Sequence, residues 1–450
     1  MARRLTLSLM LIAVSMTDRP LPAQITTAQP HQVALDRYVA PLVDLKVFSG
    51  TILVARGDRV ILERSYGLAD MEQGIPVRSS TVFRIASISK SFTRALVGRL
   101  VDQRQLTLDD PLSQWLPAMP SANKITIRML LDHRAGIPNM NSLPYDEEAF
   151  EPNTLARLVD SIARTPLDFQ PGARERYSNG GYAILARVIE LVTKRPFEES
   201  LEREILRPLH LHQTHHEADG MIIRGLARGY MPSADDADRT VIAPFQEMNT
   251  KAGGGSLVST PRDLVTWVRS IGMSPILKDA TWKELFPDKD STFAYQGRSP
   301  GYNVIVRHDR QRDITTVVLA NNYSAGMVAD VARGAEAIAS GKSPEALAVS
   351  APTKVSGAEM RALAGKYRVP ERSLPIPPGT SVELRASGDQ VVIYLGAVPV
   401  DVLIPQAPRL YLARALWSLV DARKNGSTVD SLEIRALYRE SKVVAKRINQ

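Results

Sequence analysis

Two strand-turn-strand patterns, one on each side of a long helical stretch, constrain the fold of this 450-residue chain most strongly. The first lies within residues 49–63, where two apolar segments flank a Gly-Asp turn. The second pairs residues 302–306 with residues 314–319. Helical periodicity fills most of the chain between them, as in residues 92–101 and 182–192. We therefore predict an α/β (α+β) fold, in which an antiparallel sheet built from both ends of the domain is flanked by helices and carries a mostly helical insert.

The C-terminal part of the chain has a different pattern. Helical periodicity after the second hairpin ends at residue 339, and residues 340–357 are mostly small and polar. Beyond them, short segments alternate between apolar and polar side chains or are rich in β-branched residues, at 381–385, 391–395 and 431–435. We predict a main domain over residues 30–339, a linker over 340–357 and a small β-rich accessory domain over 358–450.

The N-terminus is typical of a secretion signal. Met1-Ala2-Arg3-Arg4 is basic, and residues 5–14 form a mostly apolar run too short to span a bilayer. We predict a signal peptide over residues 1–23, cleaved after Ala23. No later stretch approaches the roughly eighteen consecutive apolar residues of a membrane span. We therefore expect a periplasmic or secreted protein without an integral membrane segment after processing.

Charge and cysteine content exclude several classes of site. The 56 Lys and Arg residues outnumber the 48 Asp and Glu residues and give a net charge of +8. The basic residues are scattered, and even the richest run, 307–313, contains acidic residues, so we expect no nucleic-acid partner. The chain has no cysteine, which excludes disulfides and thiolate metal sites.

The chemistry is indicated by Ser87-Ile88-Ser89-Lys90, at the start of a helical pattern. A serine one helical turn before a lysine can give its proton to the amine, and its own N–H can help hold an oxyanion. The same short pattern recurs at Ser121 and Lys124, but a β-branched segment follows it, so no helix is expected to hold that pair together. A helix-capping serine and a solvated lysine are the plain alternatives for Ser87 and Lys90.

Tyr177-Ser178-Asn179 supplies further polar groups. Tyr177 could relay the serine proton, or act as the base if nearby cations stabilise its phenolate. Asn179 could hydrogen-bond the substrate and Lys90. The alternative is an ordinary turn, since residues 178–181 read Ser-Asn-Gly-Gly. Lys90 itself can serve as a base only if burial or a neighbouring cation lowers its pKa from about 10.4.

Four motifs occur in a characteristic order over roughly residues 35–335. They are Phe83-Arg84-Ile85-Ala86-Ser87-Ile88-Ser89-Lys90, Leu130-Leu131-Asp132-His133-Arg134-Ala135-Gly136, Tyr177-Ser178-Asn179-Gly180-Gly181-Tyr182 and Gly253-Gly254-Gly255-Ser256-Leu257-Val258-Ser259-Thr260. Together they resemble the serine β-lactamase and penicillin-binding-protein-like hydrolases, nearest to the branch of class C β-lactamases, esterases and D-amino-acid peptidases.

The resemblance implies a β-lactamase/transpeptidase-like fold with Ser87 as nucleophile, Lys90 as base, Tyr177 in the proton relay and Asn179 in substrate binding. It also implies that the C-terminal segment, with residues 363–368, is the accessory β domain that many such proteins carry.

The third motif of such enzymes departs from the usual pattern here. It is a strand reading Lys-Thr-Gly or His-x-Gly, and the best match is Tyr295-Gln296-Gly297, followed by Arg298. The resemblance implies that these four residues bind substrate and that the second oxyanion N–H belongs to Arg298. Tyr295 can donate a hydrogen bond but brings no charge, so strong β-lactam turnover and an easily ionised Tyr177 are not expected. Whether Arg298 replaces the missing charge or points to solvent stays open.

Other candidate sites are weaker. His210, His212, His215 and His216 could bind zinc, but without a partnered acidic ligand we interpret them as a surface helix end. His133 is expected to make a structural hydrogen bond. Gly253–Gly255 lacks the lysine of a phosphate loop and is expected to serve close backbone packing. The chain has no G-x-S-x-G elbow, which argues against an α/β-hydrolase.

The sequence therefore predicts an exported serine hydrolase that cleaves an ester or amide bond through an acyl-enzyme on Ser87 and needs no cofactor or metal. The expected substrate is a small ester, a peptide or a β-lactam-like molecule. Two alternatives remain: a non-catalytic or slowly acylating penicillin-binding or sensor-like protein, and a β-lactamase or D-Ala-D-Ala carboxypeptidase. The sequence does not indicate the oligomeric state.

Overall fold

The computed structural model describes residues 30–140, 154–287, 292–324, 326–350, 352–370, 381–388, 390–425, 428–437 and 441–448. The predicted signal peptide lies outside these residues. The helices within them are α1 (Pro30–Asp44), α2 (Ser89–Asp102), α3 (Ile127–Leu131), α4 (Leu155–Ala163), α5 (Asn179–Thr193), α6 (Phe197–Leu201), α7 (Pro261–Ser270), α8 (Asp279–Leu285), α9 (Met327–Ala339) and α10 (Gly357–Leu363).

The strands of the N-terminal part are β1 (Gly50–Arg56), β2 (Arg59–Tyr66), β3 (Leu68–Asp70), β4 (Ile75–Pro76), β5 (Phe83–Arg84), β6 (His215–His216), β7 (Tyr230–Pro232), β8 (Thr240–Ile242), β9 (Leu257–Ser259), β10 (Thr292–Ser299), β11 (Tyr302–Asp309) and β12 (Ile314–Ala320). Those of the C-terminal part are β13 (Gly365–Arg368), β14 (Ser381–Ser387), β15 (Gln390–Leu395), β16 (Val398–Ala407), β17 (Leu410–Ala413), β18 (Ser418–Asn425), β19 (Thr428–Ala436) and β20 (Ser441–Arg447).

The main sheet joins the two hairpins that the sequence predicts. Its order is β10-β11-β12-β1-β2, and the pairs between neighbouring strands are antiparallel. β1 pairs with β12 from Gly50 opposite Ala320 to Arg56 opposite Ile314. The first hairpin therefore lies beside the second, and the predicted sheet built from both ends of the domain is confirmed.

Both faces of this sheet are covered by helices. Along β1, Ile52 and Val54 pack in one apolar cluster with α1 and α9, whereas Leu53 and Ala55 pack in the other with α2, α5 and α7. Alternate residues of a strand point to opposite faces, so a strand buried on both sides is mostly apolar. This explains why apolar residues predominate in β1 and β12, with threonine as the buried polar residue of both strands.

The chain between the hairpins forms the predicted helical insert. α2 and α5 are its central helices, and they pack against each other in the cluster on the second face of the sheet. A short sheet in the order β5-β9-β6 ties the start of α2 to the segment that precedes α7. The N-termini of α2 and α5 meet where the side chain of Lys90 contacts that of Asn179.

The C-terminal part is an eight-stranded closed barrel, β13 to β20, with its own apolar interior. It also contacts the N-terminal part. Trp417 Nε1 donates to Asp330 Oδ2 at 2.9 Å, and Arg414 Nη2 donates to the carbonyl oxygens of Asp236 and Arg239 at 3.1 and 2.9 Å. The predicted β-rich C-terminal domain is confirmed. Residues 340–350 and 352–356 lie in neither helix nor strand.

Over the described residues, no helix is long and apolar enough to cross a membrane.

Candidate active site

Ser87 lies in a 3₁₀ turn, Ala86–Ile88, and α2 begins two residues after it. The prediction that Ser87 opens the α-helix is wrong, because the N–H of Ile88 bonds three residues back, to the carbonyl of Ile85 at 3.1 Å. Ala86 has a φ of 44°, a left-handed conformation that is unfavourable for a residue with a Cβ atom. The turn nevertheless leaves Oγ of Ser87 3.2 Å from Nζ of Lys90.

Lys90, the second residue of α2, is buried, with 7% of its surface exposed. Its Nζ lies 2.7 Å from Oδ1 of Asn179, 2.6 Å from the carbonyl oxygen of Gly254 and 3.2 Å from Oγ of Ser87. These partners are uncharged, so they do not offset the loss of hydration around an ammonium group. Burial therefore lowers the pKa of Lys90 to about 7.

The same three partners suit the neutral form of Lys90. A neutral amine has two N–H groups and one lone pair, so it can donate to Asn179 and Gly254 while it accepts the proton of Ser87. The arrangement can thus remove a proton from the Ser87 hydroxyl near neutral pH.

Tyr177 contacts the other side of the Ser87 hydroxyl. Its Oη lies 2.7 Å from Ser87 Oγ and 3.2 Å from Asn179 Oδ1. Burial raises the pKa of Tyr177, and the charge of Arg298 and the hydrogen bond to Ser87 offset this only in part. A phenol that is protonated near pH 7 can relay a proton but is a poor base, so the geometry favours the relay role.

Asn139 is a site residue that sequence reasoning missed. Its Oδ1 accepts from the backbone N–H of Asn179 at 2.9 Å and from Nδ2 of Asn179 at 3.0 Å. A backbone N–H can only donate, so the Asn139 atom that meets it has to be the carbonyl oxygen. The same oxygen accepts a hydrogen bond from the side-chain NH₂ group of Asn179 and so fixes the orientation of that amide. Oδ1 of Asn179 is consequently turned toward Lys90 and Tyr177.

The strand with the third motif, β10, packs against the turn that carries Ser87. A Cβ atom on Gly297 would lie 2.2 Å from the carbonyl oxygen of Ile85, so only glycine permits this approach. Gln296 and Arg298 are exposed, and Tyr295 is half-buried. Burial raises the pKa of Tyr295 to about 12, so its hydroxyl is neutral.

Two cavities meet at Ser87. The smaller, about 100 Å³, is lined by Ser87, Asn179, Arg298 and a loop that includes Met248 and Lys251. The larger, about 630 Å³, is within the usual size of a small-molecule site. Its lining combines polar groups with aromatic side chains and includes Ser87, Lys90, His133, Tyr177, Phe293, Tyr295 and Gln296. Of the predicted substrate-binding residues, Asn179 and Arg298 therefore line one cavity and Tyr295 and Gln296 the other.

His133 makes the structural hydrogen bond that the sequence led us to expect. Its Nδ1 accepts from the backbone N–H of Ser178 at 3.2 Å. Burial, helped by the nearby charges of Lys90 and Arg94, lowers the pKa of His133 to about 4. The proton of the neutral ring is therefore on Nε2. His133 supports the Tyr177 segment, since its ring centroid lies 4.7 Å from that of Tyr177.

The remaining candidates do not join this site. Ser121 and Lys124 lie in a turn, joined by a backbone hydrogen bond of 2.8 Å from the N–H of Lys124 to the carbonyl of Ser121. The prediction of a surface helix end is wrong for two of the four histidines: His210 and His212 are exposed in the turns after a helical segment, but His215 and His216 form β6, and His216 is buried with Nδ1 2.7 Å from Ser256 Oγ. No group of side chains able to hold a metal ion occurs among the described residues.

The glycine run at 253–255 packs closely beside the site, as expected. Gly253 has a φ of 74°, and a Cβ atom there would lie 2.4 Å from the carbonyl oxygen of Tyr182. The next residue, Gly254, supplies the carbonyl that accepts from Lys90.

The low pKa of Lys90 predicts how stability responds to pH. The lysine amine keeps its proton up to about pH 10.5 in the unfolded chain but only up to about pH 7 in the folded protein. Burial of Lys90 therefore lowers the free energy of unfolding most below pH 7, and this penalty disappears as the pH rises toward 10.5. We expect Lys90→Met to raise the free energy of unfolding, relative to the parent, by about 3 kcal/mol more at pH 7 than at pH 10. Chemical unfolding at both pH values measures this difference.

Lys124→Met, at an exposed lysine, is the matched control and should show no such dependence on pH. A Lys90→Met difference that is equally independent of pH would show that Lys90 titrates normally.

Comparison with known proteins places this geometry in a family. The Beta-lactamase family model matches residues 35–340. Teichoic acid D-alanine hydrolase of Staphylococcus aureus is 25% identical over 269 residues, which cover 58% of this chain and 64% of that protein. This chain thus spans less than two thirds of the length of that relative.

Solved structures give the same fold. The D-amino acid amidase of Ochrobactrum anthropi SV3, complexed with L-phenylalanine, matches with a TM-score of 0.56 and 25% identity, over 65% of this chain and 91% of that chain. The octameric penicillin-binding protein homologue of Pyrococcus abyssi matches with a TM-score of 0.60 and 19% identity, over 91% of this chain and 99% of that chain. The second match shows the fold over most of the chain, the C-terminal part included. Since the family model matches well over half of the chain and spans all four motifs, this chain belongs to the Beta-lactamase family.

Proposed function

We propose that this protein is an exported serine hydrolase that cleaves an ester or amide bond through an acyl-enzyme on Ser87. The contacts of the Ser87 hydroxyl carry the proposal: Oγ lies 3.2 Å from a buried amine and 2.7 Å from a phenol hydroxyl. An amine whose pKa is lowered to about 7 is half neutral near pH 7 and can act as a base there.

In the first step, Oγ of Ser87 attacks the carbonyl carbon while Lys90 takes its proton. The N–H groups of Ser87 and Arg298 hold the oxyanion of the tetrahedral intermediate. The proton then passes from Lys90 through Tyr177 to the leaving alcohol or amine, and the bond to the leaving group breaks. Water attacks the acyl-enzyme in the second step, with Lys90 and Tyr177 again moving its proton, and releases the acid.

The neutral third motif favours esters and small amides over β-lactams as substrates. Tyr295 has a pKa of about 12, so this position offers a hydrogen bond and no positive charge to a substrate carboxylate. The relatives named teichoic acid D-alanine hydrolase and D-amino acid amidase support D-amino-acyl esters or amides as the first substrates to assay.

Export is proposed from the N-terminal pattern of a basic segment followed by a short apolar run. Cleavage after Ala23, read by N-terminal sequencing of the protein recovered from outside the cytoplasm, is the expected result. An uncut N-terminus retained in the cytoplasm would contradict export.

Covalent labelling tests the nucleophile. We expect a fluorophosphonate to add one adduct to the parent and to Ser121→Ala, and none to Ser87→Ala, because Ser87 lies beside the Lys90 amine and lines both cavities. Intact mass measures the adduct, and turnover of D-alanyl and simple alkyl esters should be lost with the same variant. An adduct without turnover of any ester, amide or β-lactam would favour the non-catalytic alternative. Labelling of Ser87→Ala would contradict the assignment.

Asn139 provides a test of the Lys90 environment. We expect Asn139→Ala to lower kcat/KM by about tenfold, because Asn179 loses the acceptor that orients its amide. Asn139→Asp retains the acceptor but adds a negative charge, which raises the pKa of Lys90. The rise of kcat/KM with pH should therefore move to higher pH in Asn139→Asp, with activity restored in alkaline buffer.

Equal losses in both Asn139 variants with an unshifted pH profile would show that Asn139 only supports the loop.

A further inference from the structure

Five exposed apolar side chains lie close together in sequence near the smaller cavity. They are Met221, Ile222, Val241, Ile242 and Phe245, here called the apolar rim. Ile222 and Phe245 are 91% and 84% exposed. Eleven large hydrophobic side chains are exposed in the described part of the chain, and these five lie within 25 positions of one another. An apolar cluster of this kind on a surface marks a binding site more often than isolated exposed residues do.

The apolar rim is continuous with the cavity that contains Ser87. Phe245 directly precedes Gln246, which lines that cavity together with Met248. The turn with Met221 and Ile222 lies beside the loop that lines this cavity. The carboxylate of Asp219, just before the turn, accepts from the backbone N–H groups of Met248 and Asn249 at 2.6 and 3.3 Å.

The strand end at Ile242 reaches the opposite side of the cavity mouth. The next residue, Ala243, packs against Gly301, where an added Cβ would lie 2.7 Å from the Ala243 Cβ. Gly301 in turn follows Ser299 and Pro300, which line the cavity. The segments that carry the apolar rim therefore border the opening through which a substrate group would extend from Ser87.

The cavity itself is too small for a large substituent. Its volume is about 100 Å³, well below the roughly 300 Å³ at which small-molecule pockets begin. A group longer than a few carbon atoms that enters this cavity, and not the larger one that also opens at Ser87, has to extend beyond it toward the rim. There its hydrocarbon surface would be removed from water together with that of Ile222 and Phe245.

We propose that the apolar rim binds the hydrocarbon part of an amphiphilic ester whose scissile carbonyl lies at Ser87. This inference rests on the proposed hydrolase function and specifies its substrate class. Each methylene that is fully buried would raise kcat/KM about fourfold, and partial burial on an open rim gives less. We expect a gain of about tenfold between two-carbon and eight-carbon chains.

Chain-length dependence tests this inference. One series varies the acyl chain, from p-nitrophenyl acetate to p-nitrophenyl octanoate, and the other varies the alcohol, from ethyl acetate to octyl acetate, all below their micelle concentrations. We expect the eight-carbon to two-carbon ratio of kcat/KM to be about ten in at least one series. Phe245→Ser and Ile222→Ser should each reduce this ratio.

The matched controls are Met273→Ser and Val398→Ser, at apolar side chains that are 70% and 61% exposed and do not line this cavity. They should keep the parent ratio. A parent ratio near one in both series, or a ratio that the rim variants leave unchanged, would overturn the inference while leaving the hydrolase function intact. Absence of turnover for every ester would overturn both.

Sedimentation of the parent and of Phe245→Ser tests whether a second copy of this chain, and not a substrate, covers the rim. An assembly of the parent that dissociates in Phe245→Ser, with the ratio unchanged, would show that a second copy covers the rim and would overturn the inference. A parent and variant of equal mass, with a reduced ratio in the variant, would support it.

Discussion

The burial of one amine, Lys90, is the condition on which the rest of the site depends. Its Nζ is surrounded by a hydroxyl, a side-chain carbonyl and a backbone carbonyl, and no carboxylate in the described part of the chain compensates its charge. Only 7% of Lys90 is exposed, so the ammonium form loses much of its hydration and the pKa falls to about 7. A proton-accepting group for Ser87 is thereby available near neutral pH without a metal ion or a histidine.

The fold meets this condition by bringing three distant segments together. Lys90 comes from the first turn of α2, Asn179 is the first residue of α5, and Gly254 belongs to the glycine run before β9. Glycine is required where these segments approach one another, since a Cβ on Gly253 would meet the carbonyl of Tyr182, and one on Gly297 would meet that of Ile85. These close approaches place the groups at hydrogen-bond distance, which is what an oriented proton transfer needs.

Much of the fold could be predicted because its signals are local. The apolar alternation around Gly57 and Asp58 predicts the first hairpin, and the serine-to-lysine spacing predicts that Ser87 and Lys90 lie together. The α-helix begins two residues later than predicted, because a 3₁₀ turn precedes it and three residues are too few for the sequence pattern to distinguish the two conformations. The β-rich character of the C-terminal part is evident from its strands, but closure into a barrel depends on the pairing of β13 with β20, which no local pattern encodes.

What could not be predicted depends on contacts between residues far apart in the chain. Asn139 lies in an irregular segment, and its role follows only from the approach of Asn179, which is 40 positions away. The low pKa of Lys90 likewise depends on burial by segments that the motif does not contain. Exposure of Ile222 and Phe245 is equally invisible in the sequence, where both resemble ordinary core residues.

Direct titration of Lys90 tests the central claim that burial makes this amine a base near neutral pH. The protein can be labelled with ¹³C at the lysine Cε atoms, and the Lys90 signal can be assigned by its absence in Lys90→Met. We expect this signal to titrate with a pKa near 7, about three units below the ordinary lysine value of about 10.4. A Lys90 signal that titrates near 10.5 would contradict the claim and leave Ser87 without a base at neutral pH.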